Sequence, residues 1–154
     1  MMASIFNHLT PEGKKYFEEL KKLEQMEVRI GYQAGETKYE DTGADLVEIA
    51  AFNELGSSTT PPRPFMRQSF ENHEPELHAI CEAANKSITN GGTAKAALQK
   101  IGVACKGLVQ EEIKNGEFEP NAPSTIKRKG SDRPLIDSGL MRQSVNFVIT
   151  KRSK

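Results

Sequence analysis

The chain has 154 residues and no net charge, with 36% apolar side chains, 6% aromatic, no tryptophan and a mean hydropathy of -0.57. This predicts one domain spanning 1–154 with a modest core, and zero net charge argues against a protein that coats nucleic acid or an acidic membrane by charge alone. No apolar run approaches a membrane span and the start of the chain lacks a charged-then-apolar signal pattern, so a soluble chain made in the cytosol is expected.

Thr10 suits an N-cap with Pro11 at the first helical position, and Tyr16, Phe17, Leu20 and Leu23 then share a face, which predicts a helix over 10–25. In Glu27 to Gln33, Val28, Ile30 and Tyr32 alternate with Arg29, Gly31 and Gln33, the period of a half-buried strand. Residues 34–43 are charged and aperiodic and read as a loop. Leu46, Ile49, Ala50, Phe52 and Asn53 fall at helical spacing, with Asp45, Glu48 and Glu54 on the other side. Gly56 is placed for a left-handed cap, and Pro61, Pro62 and Pro64 then stiffen an extended stretch.

A helical turn or two is expected from Phe65 to Glu71, with Pro75 either opening a second helix or kinking a single longer one to about Ile88. Asn90, Gly91 and Gly92 end it. Thr93 can cap the longest helix, whose stripe runs from Ala94 through Leu98, Ile101, Cys105 and Val109 to Ile113, with Gly102 where another backbone packs closely. Residues 117–134 hold three prolines, and Ser124 suits the cap of a short helix. Val145, Phe147 and Ile149 alternate in a final strand over 144–150, before a basic tail at 151–154. With strands near both ends and helices between, the expected fold is α+β. A small antiparallel or mixed sheet includes both strands and packs with several helices, one of them long, within a core over 27–150.

Several motifs touch on catalysis without reaching it. Asp41-Thr42-Gly43 and Asp137-Ser138-Gly139 repeat the tripeptide of aspartic proteases, in which two adjacent carboxylates divide acid and base roles. That chemistry needs a largely β support, and the structural reading, caps and turns at these positions, is preferred. His73, Glu74 and His78 miss the spacing of a zinc-protease helix by one residue, with Pro75 between. Gly102 to Gly107 has phosphate-loop spacing but carries Leu108 where lysine is needed. Asn85-Lys86-Ser87 is a glycosylation sequon without a secretory context. Cys81 and Cys105 read as reduced, partly buried thiols. No catalytic, cofactor or metal site is assigned.

Charge is unevenly distributed. Residues 31–56 hold six acidic and one basic side chain, whereas 127–154 hold eight basic and two acidic, among them Lys127, Arg128, Lys129, Arg133, Arg142, Lys151, Arg152 and Lys154. Opposite patches on one chain can pair head to tail between copies and close a ring. The alternative is a nucleic-acid-contacting module that uses the basic end, which zero net charge and the lack of interleaved aromatics weaken.

The order of the pieces is RIGY, an acidic glycine loop, EIAAFNELG, PPRPFMRQSF, a long helical middle, then APSTIKRKGSDRPLIDSGLMRQSV and a last strand. Over 27–150 this resembles the tail-completion and tail-to-head joining proteins of long-tailed bacteriophages. Asn53, Glu54 and Gly56 match the family's helix end, with Leu55 in place of the usual Phe. Pro62, Arg63, Pro64 and Phe65 match its proline segment. Leu135, Ile136, Asp137, Gly139 and Leu140 match its third region, with Ser138 replacing Thr.

The resemblance implies a structural virion protein, not an enzyme, without cofactor. It implies a ring, commonly hexameric, at the neck or upper tail, assembled in host cytoplasm. Its partners would be further copies of itself, tail tube or terminator proteins and head-proximal neck proteins, with passing contact to genomic DNA and none to membrane. The interface candidates are Phe52, Asn53, Glu54, Pro64, Phe65, Arg128, Lys129, Arg133 and Asp137. Loops 34–43 and 117–134 are expected to gain structure against neighbouring subunits.

Overall fold

The computed structural model describes residues 7–33, 43–129, 135 and 139–154. Among them the chain is α+β, with seven helices and a two-stranded antiparallel sheet: α1 (Pro11–Glu24), β1 (Met26–Gly31), α2 (Leu46–Leu55), α3 (Phe65–Asn72), α4 (Glu74–Thr89), α5 (Ala94–Asn115), α6 (Pro123–Lys129), α7 (Leu140–Gln143) and β2 (Asn146–Lys151). A two-stranded ribbon is marginal alone in water. The half-buried residues along both strands are its link to the rest of the fold. The loop expected at 34–43 lies outside the described residues but for Gly43, as do Asp41, Thr42, Ile136, Asp137 and Ser138.

The described chain divides into two compact units. One takes the described residues of 1–29, 75–104 and 148–154, the other those of 30–74, 105–147. In the first, Thr10 Oγ1 accepts from Gly13 N at 3.1 Å and starts α1, with Pro11 at its first position, as the sequence predicts. Its core is small: Ala84, Ile88 and Ala97 are buried, with Tyr16, Leu23 and Ile101 packed partly buried against them. Thr93 caps α5 by accepting from Ala96 N at 3.1 Å. Glu19, 5% exposed, reaches the same helix start and accepts from Ala94 N at 2.8 Å, while Lys22 donates to its other oxygen at 2.8 Å. The sequence reading gave Glu19 no role.

The second unit has the larger core. Leu46, Ala50, Phe65, Val109, Ile113, Leu135, Met141 and Val145 are buried together, with Ile30, Tyr32, Ile49, Met66, Phe70 and Phe118 packed against them. Tyr32 meets Phe65 edge-on at 6.3 Å between ring centroids and donates its hydroxyl to Met141 O at 2.9 Å. Its polar tip is satisfied while its ring is half-buried.

One open alternative is decided and three local expectations change. Pro75 opens α4 rather than kinking one long helix: α3 ends at Asn72, and His73 separates the two. Gly56 has φ +76° but ψ 176°, so it ends α2 in an extended glycine conformation rather than the left-handed helical one. Ser124 lies inside α6, which Pro123 opens, and Ala122 O accepts from Thr125 N and Ile126 N. Both cysteines are free as expected, with Cys105 buried but Cys81 exposed.

Candidate interaction surface around α2 and the proline stretch

Asp45 caps α2 by accepting from Val47 N at 3.0 Å. The helix is nearly apolar all round, so periodicity alone does not choose its buried face. Leu46 and Ala50 take the core, 1% and 6% exposed, and turn Phe52 and Leu55 outward at 60% and 78%. Phe52 was expected on the packed stripe with Leu46 and Ala50. A stripe with residues 46, 49, 50 and 53 inward leaves 48, 51, 52 and 55 on the opposite side, where all four are exposed.

Beyond Gly56 the chain turns and runs back along the helix end. Ser57 N donates to Thr60 O at 2.8 Å, and Thr60 N to Ser57 Oγ at 3.1 Å. Arg63 N then donates to Asn53 O, and the Asn53 side chain donates to Ile49 O at 2.9 Å. Close approach explains Gly56: a Cβ there would lie 2.8 Å from Pro62 N. Pro64 sits at the N-cap of α3 and has no side chain that can cap. Glu54 supplies the missing acceptors, taking Met66 N at 2.8 Å and Arg67 N at 3.0 Å on its two oxygens. This carboxylate satisfies two of the helix's orphan donors and complements its dipole.

Arg63 is 6% exposed. Its guanidinium donates to Glu119 O at 2.7 Å and Pro120 O at 3.1 Å, tying residues 119–120 to the proline stretch. Burial holds its pKa below the ordinary value, opposed by the nearby Glu119 charge. Residues 117–122 are thus anchored within this unit. Asn121 beside them is buried, with its Nδ2 unpaired.

Of the interface candidates, the structure gathers Phe52, Asn53, Glu54, Pro64 and Phe65 in one place with different exposures. Phe52 is on the surface, and Asn53, Glu54 and Pro64 are half-buried at the helix junction. Phe65 is 1% exposed and fills the core of this unit. Arg128 is exposed on α6, and Lys129 ends that helix. The Lys129 side chain, Arg133 and Asp137 lie outside the described residues. The candidate that periodicity missed is Leu55, whose exposure depends on which face of α2 the core takes.

An acidic cleft of about 610 Å³ opens beside Gln68, Glu71, His73, Glu111, Glu112 and Glu117. Glu112, 4% exposed, is its best-held member. It accepts from Gln68 Nε2 at 2.7 Å and Asn72 Nδ2 at 3.1 Å, and His73 Nε2 lies 3.3 Å from its second oxygen. These bonds join α3 to α5. Among the described residues no three His, Cys, Asp or Glu side chains group so as to hold a metal ion, and no helix is long and apolar enough to cross a membrane. Compared with protein-family models, with curated proteins and with solved structures, the chain finds no match in any of the three.

Proposed function

We propose that this chain is a structural virion protein, a ring subunit that completes the tail or joins it to the head at the head-proximal end of a long phage tail. The observation that carries the reading is how the resembling segments pack. Ile30 and Tyr32 come from RIGY, Ile49 and Ala50 from EIAAFNELG, Phe65 and Met66 from PPRPFMRQSF, and Leu135, Met141 and Val145 from the last region; all belong to one hydrophobic core. The segments that carry the resemblance thus form one packing unit, as the reading requires. Within it, Glu54 and Arg63 use their polar groups to hold helix and loop ends together. Such residues serve a rigid scaffold, and the exposed side of α2 is left for partners.

The test is electron microscopy of a lysate from a phage or prophage with this gene deleted. Filled heads beside separate tails are expected, and tails of abnormal length among them would add a role in termination. Intact particles would overturn the reading. Steep salt-dependent binding of the purified protein to duplex DNA, together with intact particles, would favour the nucleic-acid module.

A further inference from the structure

We propose that the exposed face of α2, formed by Glu48, Ala51, Phe52 and Leu55, receives the basic residues 151–154 of a second copy of this chain. The contact deepens the ring reading above and rests on it for its biological role. Phe52 and Leu55 stand 60% and 78% exposed, one helical turn apart, on the side of α2 opposite Leu46 and Ala50. Pro62, also exposed, abuts Gly56 just beyond Leu55 and extends the apolar surface. Single exposed apolar residues are ordinary, whereas two large ones a turn apart on one helix end make a candidate contact surface.

Charge selects the occupant. Glu48 lies on this face, residues 43–56 contain three acidic and no basic side chains, and the last turn of α2, the negative end of its dipole, has no cation. Two such faces brought together would both carry Glu48 and a negative helix end, and neither would offer the other a cation. A symmetric contact is therefore disfavoured, and a cationic surface is preferred. Lys151, Arg152 and Lys154 offer three exposed cations within four residues. Glu27, which accepts from Ser153 Oγ at 3.3 Å within that stretch, is itself held by Arg29 Nε at 2.6 Å. The donor and acceptor surfaces differ, so the contact is heterologous: each copy offers one of each, and repetition closes a ring or extends a filament.

The experiment is light scattering on the purified full chain across a concentration series, at about 0.1 M and about 1 M salt. The parent is expected to self-associate and to weaken at high salt. Leu55→Lys, at a position too exposed to disturb folding, removes the apolar contact and opposes the basic tail with a like charge, and is expected to weaken association roughly tenfold or more. Glu48→Lys should weaken it, as should Lys151→Glu with Arg152→Glu, and combining the two charge reversals should restore it. A chain that stays monomeric throughout overturns the proposal. So does association that Leu55→Lys leaves intact, and so does loss with Leu55→Lys that neither charge reversal reproduces, which would give the face a different occupant. The deletion phenotype is read separately: intact particles with a working charge swap would remove the phage role and keep the contact, and separated heads and tails with no charge dependence would do the reverse.

Discussion

Glu19 is 5% exposed, and its carboxylate is held by an amide at the start of α5 and by Lys22. Chiefly the Lys22 bond, then the Ala94 amide, hold its pKa below the ordinary value against desolvation. Because these partners bind the ionised form only in the folded chain, the stability it contributes is fully present above the unfolded pKa. It is lost as pH falls through the lowered folded value. Glu19→Gln is therefore expected to be less stable than the parent at neutral pH, with the gap closing as the solution is acidified below about pH 4. Urea denaturation at several pH values measures this, and a gap that does not change with pH would reduce Glu19 to packing. Gly56 gives a second residue-scale test. Its φ of +76° and the 2.8 Å from a built Cβ to Pro62 N leave no room for a side chain. Gly56→Ala should cost about 1–3 kcal/mol in equilibrium unfolding. The glycine was legible in the sequence as a helix end; its contact with Pro62 was not, because it depends on the turn at 57–60 folding the chain back. Glu19 was illegible for a related reason: on a helix rich in charge, nothing local distinguishes the carboxylate that will meet a distant helix start.

At the scale of elements, regular helices were readable wherever one stripe was apolar and the rest polar. Thr10 and Pro11 announce α1, and Thr93 and the long stripe announce α5. Both strands were placed to within two residues at each end, because alternation at 28–32 and 145–149 is clean. The exposed side of α2 was not readable, since seven of its ten residues are apolar and the choice of face falls to the core. The α3 junction is where these elements depend on one another. Pro64 cannot cap, so Glu54 does it from the preceding helix, and Glu54→Ala should cost about 1–2 kcal/mol and speed amide exchange at Met66 and Arg67 before any other site. Arg63→Met keeps much of the side chain's bulk and removes two bonds to backbone carbonyls. It should cost about 1.5–3 kcal/mol, with new protease cleavage confined to residues 117–122. Unchanged cleavage there would mean that Asn121 and its neighbours are held by other contacts.

For the whole molecule, the sequence pointed to one core, and the described residues pack into two compact units with unequal interiors. One is built on Phe65, Leu46, Val109 and Val145; the other has Ile88 between two alanines, flanked by partly buried Tyr16, Leu23 and Ile101. Periodicity marks which positions turn inward but not which inward faces meet, so this division could not be read from spacing. At about 25 cal/mol per Å² of buried apolar surface, the alanine-lined interior contributes less, and amides of α1 and α4 should exchange through openings of lower free energy than those of α2 and α3. Two truncations test whether the units respond separately. Ile88→Ala should cost about 2–4 kcal/mol and Phe65→Ala about 3–5 kcal/mol. If each unit opens by itself, Ile88→Ala lowers protection in α1 and α4 and spares α2 and α3, while Phe65→Ala lowers protection in α2 and α3. If both substitutions lower protection equally everywhere, the chain unfolds as one cooperative body, as the single-domain expectation requires, because no unit can then open while the other stays closed.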